Sequence, residues 1–305
     1  MKHFLQTQPW AAFQQKMGRT IISDTGNGWS YIAILEKGKL NSRLYVPYGP
    51  TLETNAALSP ALSSLKQKAI EHGATFIRIE PIHVVTAKDL LHAGLKKVSP
   101  IQPDATSIID LYRSEEEIIA AMTSNTRNLY RNYKQKGIHI RQSFNSREID
   151  TLLMLLSDVA KHTGMNPQSN EYLRKQAESL ISSDDASLYF AEHGDTVIAS
   201  ALVYDSNDTR YYAHAAADYE HRGLNAGTAL VSQMIIDAKR KGLKYFDLYG
   251  IWIESEKGST KSGITRFKRS FGGQDKQYVG TWEYPVRHVN YAMYRFMAKW
   301  YKRLR

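Results

Sequence analysis

None of the 305 residues is cysteine, which excludes a disulfide framework, a thiolate metal site and a cysteine nucleophile together. No run of about eighteen apolar residues free of charge is present, the minimum for a helix that crosses a bilayer. The opening MKHFLQTQPWAAF has no apolar segment followed by a small-residue cleavage site. A soluble chain in the cytoplasm is therefore expected. The ten histidines show no ligand-like pairing. His139, His162, His214 and His221 read as ordinary core or surface residues, and neither a metal nor a bound cofactor is expected. There is no low-complexity linker.

What is present supports a large core: 42% of the residues are hydrophobic, enough for one large domain or two of ordinary size, with two the better expectation. Lys and Arg outnumber Asp and Glu, for a formal charge of +10. Such a balance favours polyanionic partners through counterion release and steering, among them RNA, a nucleoside diphosphate or an anionic membrane face. It serves equally as a setting for solubility.

The pattern along the chain repeats. Residues 29–35 read as a strand, 36–39 as a turn and 43–46 as the returning strand, with Pro47-Tyr48-Gly49-Pro50 as a breaker. A helix follows over 55–72, carrying Leu58, Leu62, Leu65, Ala69 and Ile70 on one face and ending at Gly73. Residues 75–80 are the next strand, stopped by Pro81. The second half runs through the same order: strands over 197–204 and 209–216, a helix over 226–240 closed by Gly242, and a strand over 244–249. Three helical stretches, 114–122, 125–136 and 147–162, lie between. A duplicated α+β unit follows from this repetition, with a boundary near residue 143. The last stretch, 287–305, is a basic aromatic helix whose Trp and Tyr residues either pack on the body of the protein or touch a membrane interface.

Two regions carry chemistry. The segment DYEHRGLNAGTAL, 218–230, sits between a strand and an amphipathic helix. It resembles the pyrophosphate loop of GCN5-related N-acetyltransferases (GNAT), in which backbone N–H groups at a helix N-terminus cradle phosphates. The basic residue is Arg222, the glycine is Gly227, and Asn225 stands where the first glycine is expected. Asn tolerates positive φ better than most residues, yet it weakens the match to a coenzyme A site.

The second region comprises FDLYGIW (246–252), GITRFKRSFGG (263–273) and YVGTWEYP (278–285). Together these resemble the C-terminal signature of FemXAB peptidyltransferases. FLQTQPWAAF (4–13) with Gly18 and Arg19, YVPYGP (45–50), IRIEP (77–81) and the basic helix NTRNLYRNYKQKG (125–137) resemble other parts of the same family, so the likeness spans nearly the whole chain.

The resemblance implies two tandem GNAT-like domains. The first is placed at 1–142 plus the C-terminal helix 286–305, holding the acceptor cleft, and the second at 143–285. It implies aminoacyl-tRNA as co-substrate and acyl donor. The acceptor would be a peptidoglycan precursor, either UDP-MurNAc-pentapeptide or lipid-linked. A compact monomer without the coiled-coil insertion is the closer model, with peripheral contact at the inner membrane face. The family's lysine in the Phe-Lys-x-x-Phe element is Lys268 here, beside Phe267, and the resemblance gives it the role of supporting the transferred carbonyl. Arg222 is the diphosphate candidate, although the tyrosine that often follows four residues later is Ala226. The chemistry favours Lys268 independently. Aminolysis of an ester passes through an oxyanion, and one fixed donor there contributes on the order of 3 kcal/mol.

Glu80 and Glu283 are candidates for the base that takes the amine proton, and Arg19 and Lys134 for further anion contacts. Two other readings compete. One is an acyl-CoA-dependent N-acyltransferase, supported by the loop at Arg222 and Gly227. The other is a nonenzymatic RNA-binding module, supported by Arg127, Arg131, Lys134 and Lys136 on one helix.

Overall fold

A computed structural model describes residues 2–38, 41–164, 166–253 and 260–303. In chain order it begins with α1 (Gln8–Lys16), β1 (Thr20–Gly26), β2 (Trp29–Lys37), β3 (Ser42–Val46), β4 (Thr51–Leu52), α2 (Leu58–Glu71), β5 (Phe76–Ile79), α3 (Ala87–His92) and β6 (Lys96–Lys97). Next come β7 (Ala105–Asp110), α4 (Glu115–Ala121), α5 (Ser124–Asn132), β8 (Ile138–Ser143), α6 (Ile149–Thr163), α7 (Asn170–Ile181), β9 (Ala186–His193), β10 (Thr196–Ser206), β11 (Thr209–Ala217) and α8 (Ala226–Arg240). The chain closes with β12 (Tyr245–Asp247), α9 (Thr260–Arg269), β13 (Gln274–Gln277), β14 (Trp282–Pro285) and α10 (His288–Arg303).

Two compact units result, Met1–Asp104 with Gln277–Arg305, and Ala105–Lys276. The duplicated plan holds, and the expected cut near 143 moves, for a reason that lies in strand pairing. β7 pairs antiparallel with β12, matching Asp110 to Tyr245 and Ile108 to Asp247, so residues before 143 belong to the second sheet. β14 pairs with β5 and β6, so 277–285 return to the first. Periodicity marks each strand but cannot show which distant strand it joins.

Each unit is a mixed sheet built on one idea. In the first, ordered β1-β2-β3-β5-β14-β6, an antiparallel run leads through α2 into β5, which lies parallel to β3. In the second, ordered β13-β7-β12-β11-β10-β9-β8, the antiparallel run leads through α8 into β12, parallel to β11. A parallel neighbour requires a crossover, and a helix supplies it.

The helix faces follow the sequence with one exception. Leu58, Leu62, Leu65 and Ala69 of α2 are buried against the first sheet, whereas Ile70 is 67% exposed. Ile70 follows Ala69 by one residue, or about 100° of turn, which carries it off the buried face. α8 buries Leu230, Val231, Met234, Ile235 and Ile236 in the core of the second unit. Arg210 is buried within that unit, paired with Asp205 at 2.7 Å and donating to the Tyr189 hydroxyl at 2.8 Å. Such pairing is what an interior charge needs.

Candidate active site

The site in the second unit begins where two parallel strands part. β11 pairs with β12 only at Thr209, Arg210 and Tyr211, yet it runs on to Ala217. The strand expected over 244–249 stops at Asp247 because the chain then follows β7: Leu248 N–H donates to the Ser107 carbonyl at 3.0 Å and Ile251 N–H to that of Ala105 at 2.9 Å. Tyr249 adopts φ +58° at this departure, a conformation that a non-glycine residue holds only when its surroundings fix it.

Lys268 reaches this departure from α9. Its Nζ donates to the carbonyls of Gly250 at 2.8 Å and Tyr249 at 3.3 Å, and lies 6.0 Å from the centre of the Tyr212 ring on β11. The helical period explains why Lys268 points inward. Thr265, three residues earlier, is buried and bonded through its hydroxyl to the Trp252 N–H at 3.0 Å, while the neighbouring Arg269 is exposed and paired with Asp275. Phe267 packs its ring edge against Phe271 at 5.0 Å and joins the core of the unit.

Burial pushes the Lys268 ammonium down to about 8, with Asp247 opposing that shift. Asp247 is itself raised by burial, against bonds from the Thr106 hydroxyl and the Tyr249 N–H and against the charges of Lys268 and Lys276. Lys276 is likewise lowered by burial and lifted by Asp247. The result is a desolvated cation bonded to neutral carbonyls, able to shift toward an oxygen on which negative charge develops.

A groove of about 770 Å³ also lies in this unit, bordered by the first turns of α5 and α8 and by α9. Lys268 is not among its lining residues, but Phe267, Arg266 and Arg269 are. Asn225 opens α8 at φ +57°, so it supplies the left-handed turn otherwise left to glycine. Thr123 caps α5, accepting from the Thr126 N–H at 3.4 Å. Helix starts leave backbone N–H groups unpaired within the helix, and two of them beside two arginines suit phosphate groups.

The other expected residues are placed as follows. Arg222 sits in a single 3-10 turn before α8, exposed, donating to the Tyr219 carbonyl at 3.0 Å with its guanidinium 4.2 Å from the centre of that ring. Lys134 is exposed in another 3-10 turn, because α5 ends at Asn132. Arg127, Arg131, Lys134 and Lys136 therefore do not share one helix, and Arg127 donates to the carbonyls of Ala120 and Met122. Arg19 is exposed in the first unit, just before β1.

Glu80 and Glu283, the candidates for the base, belong to the first unit, where each is held by several partners. Glu283 is fully buried, ion-paired with Arg78, and accepts from the Tyr291 hydroxyl at 2.8 Å. Glu80 accepts from Tyr45 at 2.7 Å, from Thr281 at 2.5 Å and from the Gln102 N–H at 3.1 Å. Carboxylates so engaged hold neighbouring segments of the first unit together. His214 is pushed down to about 4 by burial. Among the described residues no cluster of side chains suited to a metal is present.

Sequence reasoning missed Thr106 and Tyr212. Only Asp247 lay in a quoted motif, and nothing in local spacing says that β7 and β11 flank it.

Residues 120–269 match the family model described as an acetyltransferase (GNAT) domain. The chain is 26% identical over 110 residues to the aminoacyltransferase FemA of Staphylococcus epidermidis, a match covering 35% of this chain and 26% of that protein. It is 23% identical over 125 residues to the lipid II:glycine glycyltransferase of Staphylococcus haemolyticus, covering 41% of this chain and 30% of the relative. The matched stretches thus span about a quarter to a third of the length of these curated relatives. The fold is similar to the crystal structure of FemX, with a TM-score of 0.85 at 16% identity, covering 95% of this chain and 94% of the other.

Proposed function

We propose that this chain, a FemXAB-family member with a GNAT-type domain, is an aminoacyltransferase that moves an amino acid from aminoacyl-tRNA to an amine on the peptide of a peptidoglycan precursor. The activities of the relatives, an aminoacyltransferase and a glycyltransferase, support the reaction class. The observation that carries the reading is Lys268, a desolvated ammonium bonded to the Tyr249 and Gly250 carbonyls where β11 and β12 part. In the proposed reaction the acceptor amine attacks the ester carbonyl of the donor. The C–N bond forms as the carbonyl oxygen takes negative charge, and Lys268 stabilises that oxyanion. Collapse breaks the ester C–O bond, and the proton lost by the amine goes in balance to the departing ribose oxygen. An activated ester needs no enzyme nucleophile, which accords with a chain that has no cysteine. The groove bordered by Asn225, Thr126, Arg266 and Arg269 is suited to the phosphates of the tRNA acceptor end.

A second reading, an acyl-CoA-dependent N-acyltransferase, is favoured by the positive φ that Asn225 attains at the start of α8, which restores the geometry of a phosphate loop. One experiment separates the two. The purified chain is expected to transfer a labelled amino acid from charged tRNA to a peptidoglycan precursor, and ribonuclease treatment of the donor is expected to abolish transfer. Raising salt from about 50 to 200 mM should weaken donor capture markedly, since tRNA binding through phosphates releases counterions. Acetyl-CoA consumption without tRNA would promote the second reading. Binding of RNA with no transfer to any acceptor would point to the nonenzymatic module.

A further inference from the structure

We infer that α10 is an interfacial helix that lays one apolar face on an anionic lipid bilayer. Its inner side is fixed to the first unit. Tyr291 is buried and donates to Glu283, and the Tyr294 ring stacks on Phe76 with centroids 5.0 Å apart. Its outer side carries Val289, Met293, Phe296 and Trp300, exposed by 81, 50, 73 and 55%. Steps of four, three and four residues keep these four within about 60° of one another around the helix. They form one stripe, on the side away from Tyr291 and Tyr294. Among the described residues 13 large hydrophobics are exposed, and four of them fall on this helix of 16 residues. Single exposed apolar residues are ordinary, whereas an aligned series marks a surface that something covers.

Charge identifies what covers it. The helix sequence HVNYAMYRFMAKWYKR contains no acidic residue and four basic ones, follows directly on Arg287, and belongs to a chain of formal charge +10. A second copy of the chain on this face would bring like charges together. An anionic bilayer offers the apolar stripe a hydrocarbon boundary and gives the basic end of the helix phosphate partners. Trp300 and Phe296 are the residue types that settle at that boundary. At 16 residues α10 is about 24 Å long, short of a bilayer core, and no described helix is long and apolar enough to cross a membrane. It therefore lies in the interface plane.

The consequence for substrate rests on the proposed function: a chain held at an anionic bilayer draws its acceptor from that surface, so the acceptor is lipid-linked. Docking itself is independent of the chemistry and is tested without it. The full chain is mixed with vesicles of equal parts phosphatidylglycerol and phosphatidylcholine, and with phosphatidylcholine alone, and bound protein is measured by sedimentation. Binding to the anionic vesicles is expected, with at least about a tenfold loss of affinity in Phe296→Glu, retention in Phe296→Leu, and weakening by salt. Circular dichroism confirms that the variants fold, as an exposed position permits. Equal binding by Phe296→Glu, indifference to lipid charge, or a Phe296-dependent dimer in solution would overturn docking. With docking intact, Phe296→Glu is expected to slow transfer to a lipid-linked acceptor in vesicles while sparing transfer to a UDP-linked one. Equal rates on both would overturn the lipid-linked assignment. Docking without any transfer would sink the enzymatic reading and leave the membrane contact standing.

Discussion

The two units share a sheet plan and differ in the partner given to the cation at one equivalent strand. In the first, Arg78 on β5 meets Glu283 on the adjacent β14, and the tyrosine hydroxyls of α10 complete their bonds. In the second, the strand equivalent to β5 is β12, and the half-buried cation that comes to its end, Lys268, is bonded to backbone carbonyls. A buried carboxylate paired with an arginine is at rest, because each charge has its complement. A lysine facing neutral dipoles keeps the capacity to stabilise a new negative charge. The comparison teaches that one architecture can close an interior with an ion pair or leave it receptive, and that the choice turns on which partner the neighbouring chain supplies.

Three changes break or sharpen that contrast. Glu283→Ala is expected to cost the most, about 3–5 kcal/mol of stability, because Arg78 would be left charged and unpaired in the interior. Denaturant unfolding measures it, and the activity of the remaining folded fraction should be close to normal. A loss of activity without a loss of stability would instead return Glu283 to the chemistry.

Lys268→Met should lower turnover by at least about a hundredfold, since the ammonium acts where charge develops. Its effect on stability should be small, because relief from a desolvated cation offsets the two carbonyls left without a donor. Lys268→Arg should also be impaired, as a planar fork does not replace a compact ammonium. The pH profile gives the sign. A cation with pKa pushed down to about 8 is present below that value and lost above it, so turnover should fall on an alkaline limb near 8. That limb should be missing from the residual activity of Lys268→Arg, whose charge persists. An unchanged limb would assign it to another group.

Arg222→Ala should have the smallest effect, about a tenfold weaker binding of a UDP-linked acceptor with little change in turnover, as a phosphate clamp acts in ground and transition states alike. Titration calorimetry decides it. Unchanged affinity would leave Arg222 as the residue that stacks on Tyr219 and nothing more.

Much of this architecture was legible in the chain. The strands over 29–35, 43–46, 197–204 and 209–216 and the helix over 226–240 lie where alternation and 3.6-residue periodicity put them. β7 and β8 were missed although each is a strand of six residues. β7 gave no turn signal pairing it to a neighbour, since its partner β12 lies more than a hundred residues away. Ile70 failed for the opposite reason: it is apolar and near the helical stripe, but one residue past its edge.

By itself the sequence determined that two α+β units exist, that no cysteine chemistry is possible, and that Lys268 in its Phe-Lys-x-x-Phe element is the residue to examine. These follow from composition, short-range periodicity and a motif, all local in the chain. Only the tertiary structure decided that residues 105–142 join the second unit, that Glu283 is held by Arg78 and Tyr291, and that α10 turns four large apolar side chains outward. Each of those depends on which distant segment lies alongside. Burial, and with it the shift of a buried charge or the exposure of an apolar face, is a property of neighbours in space.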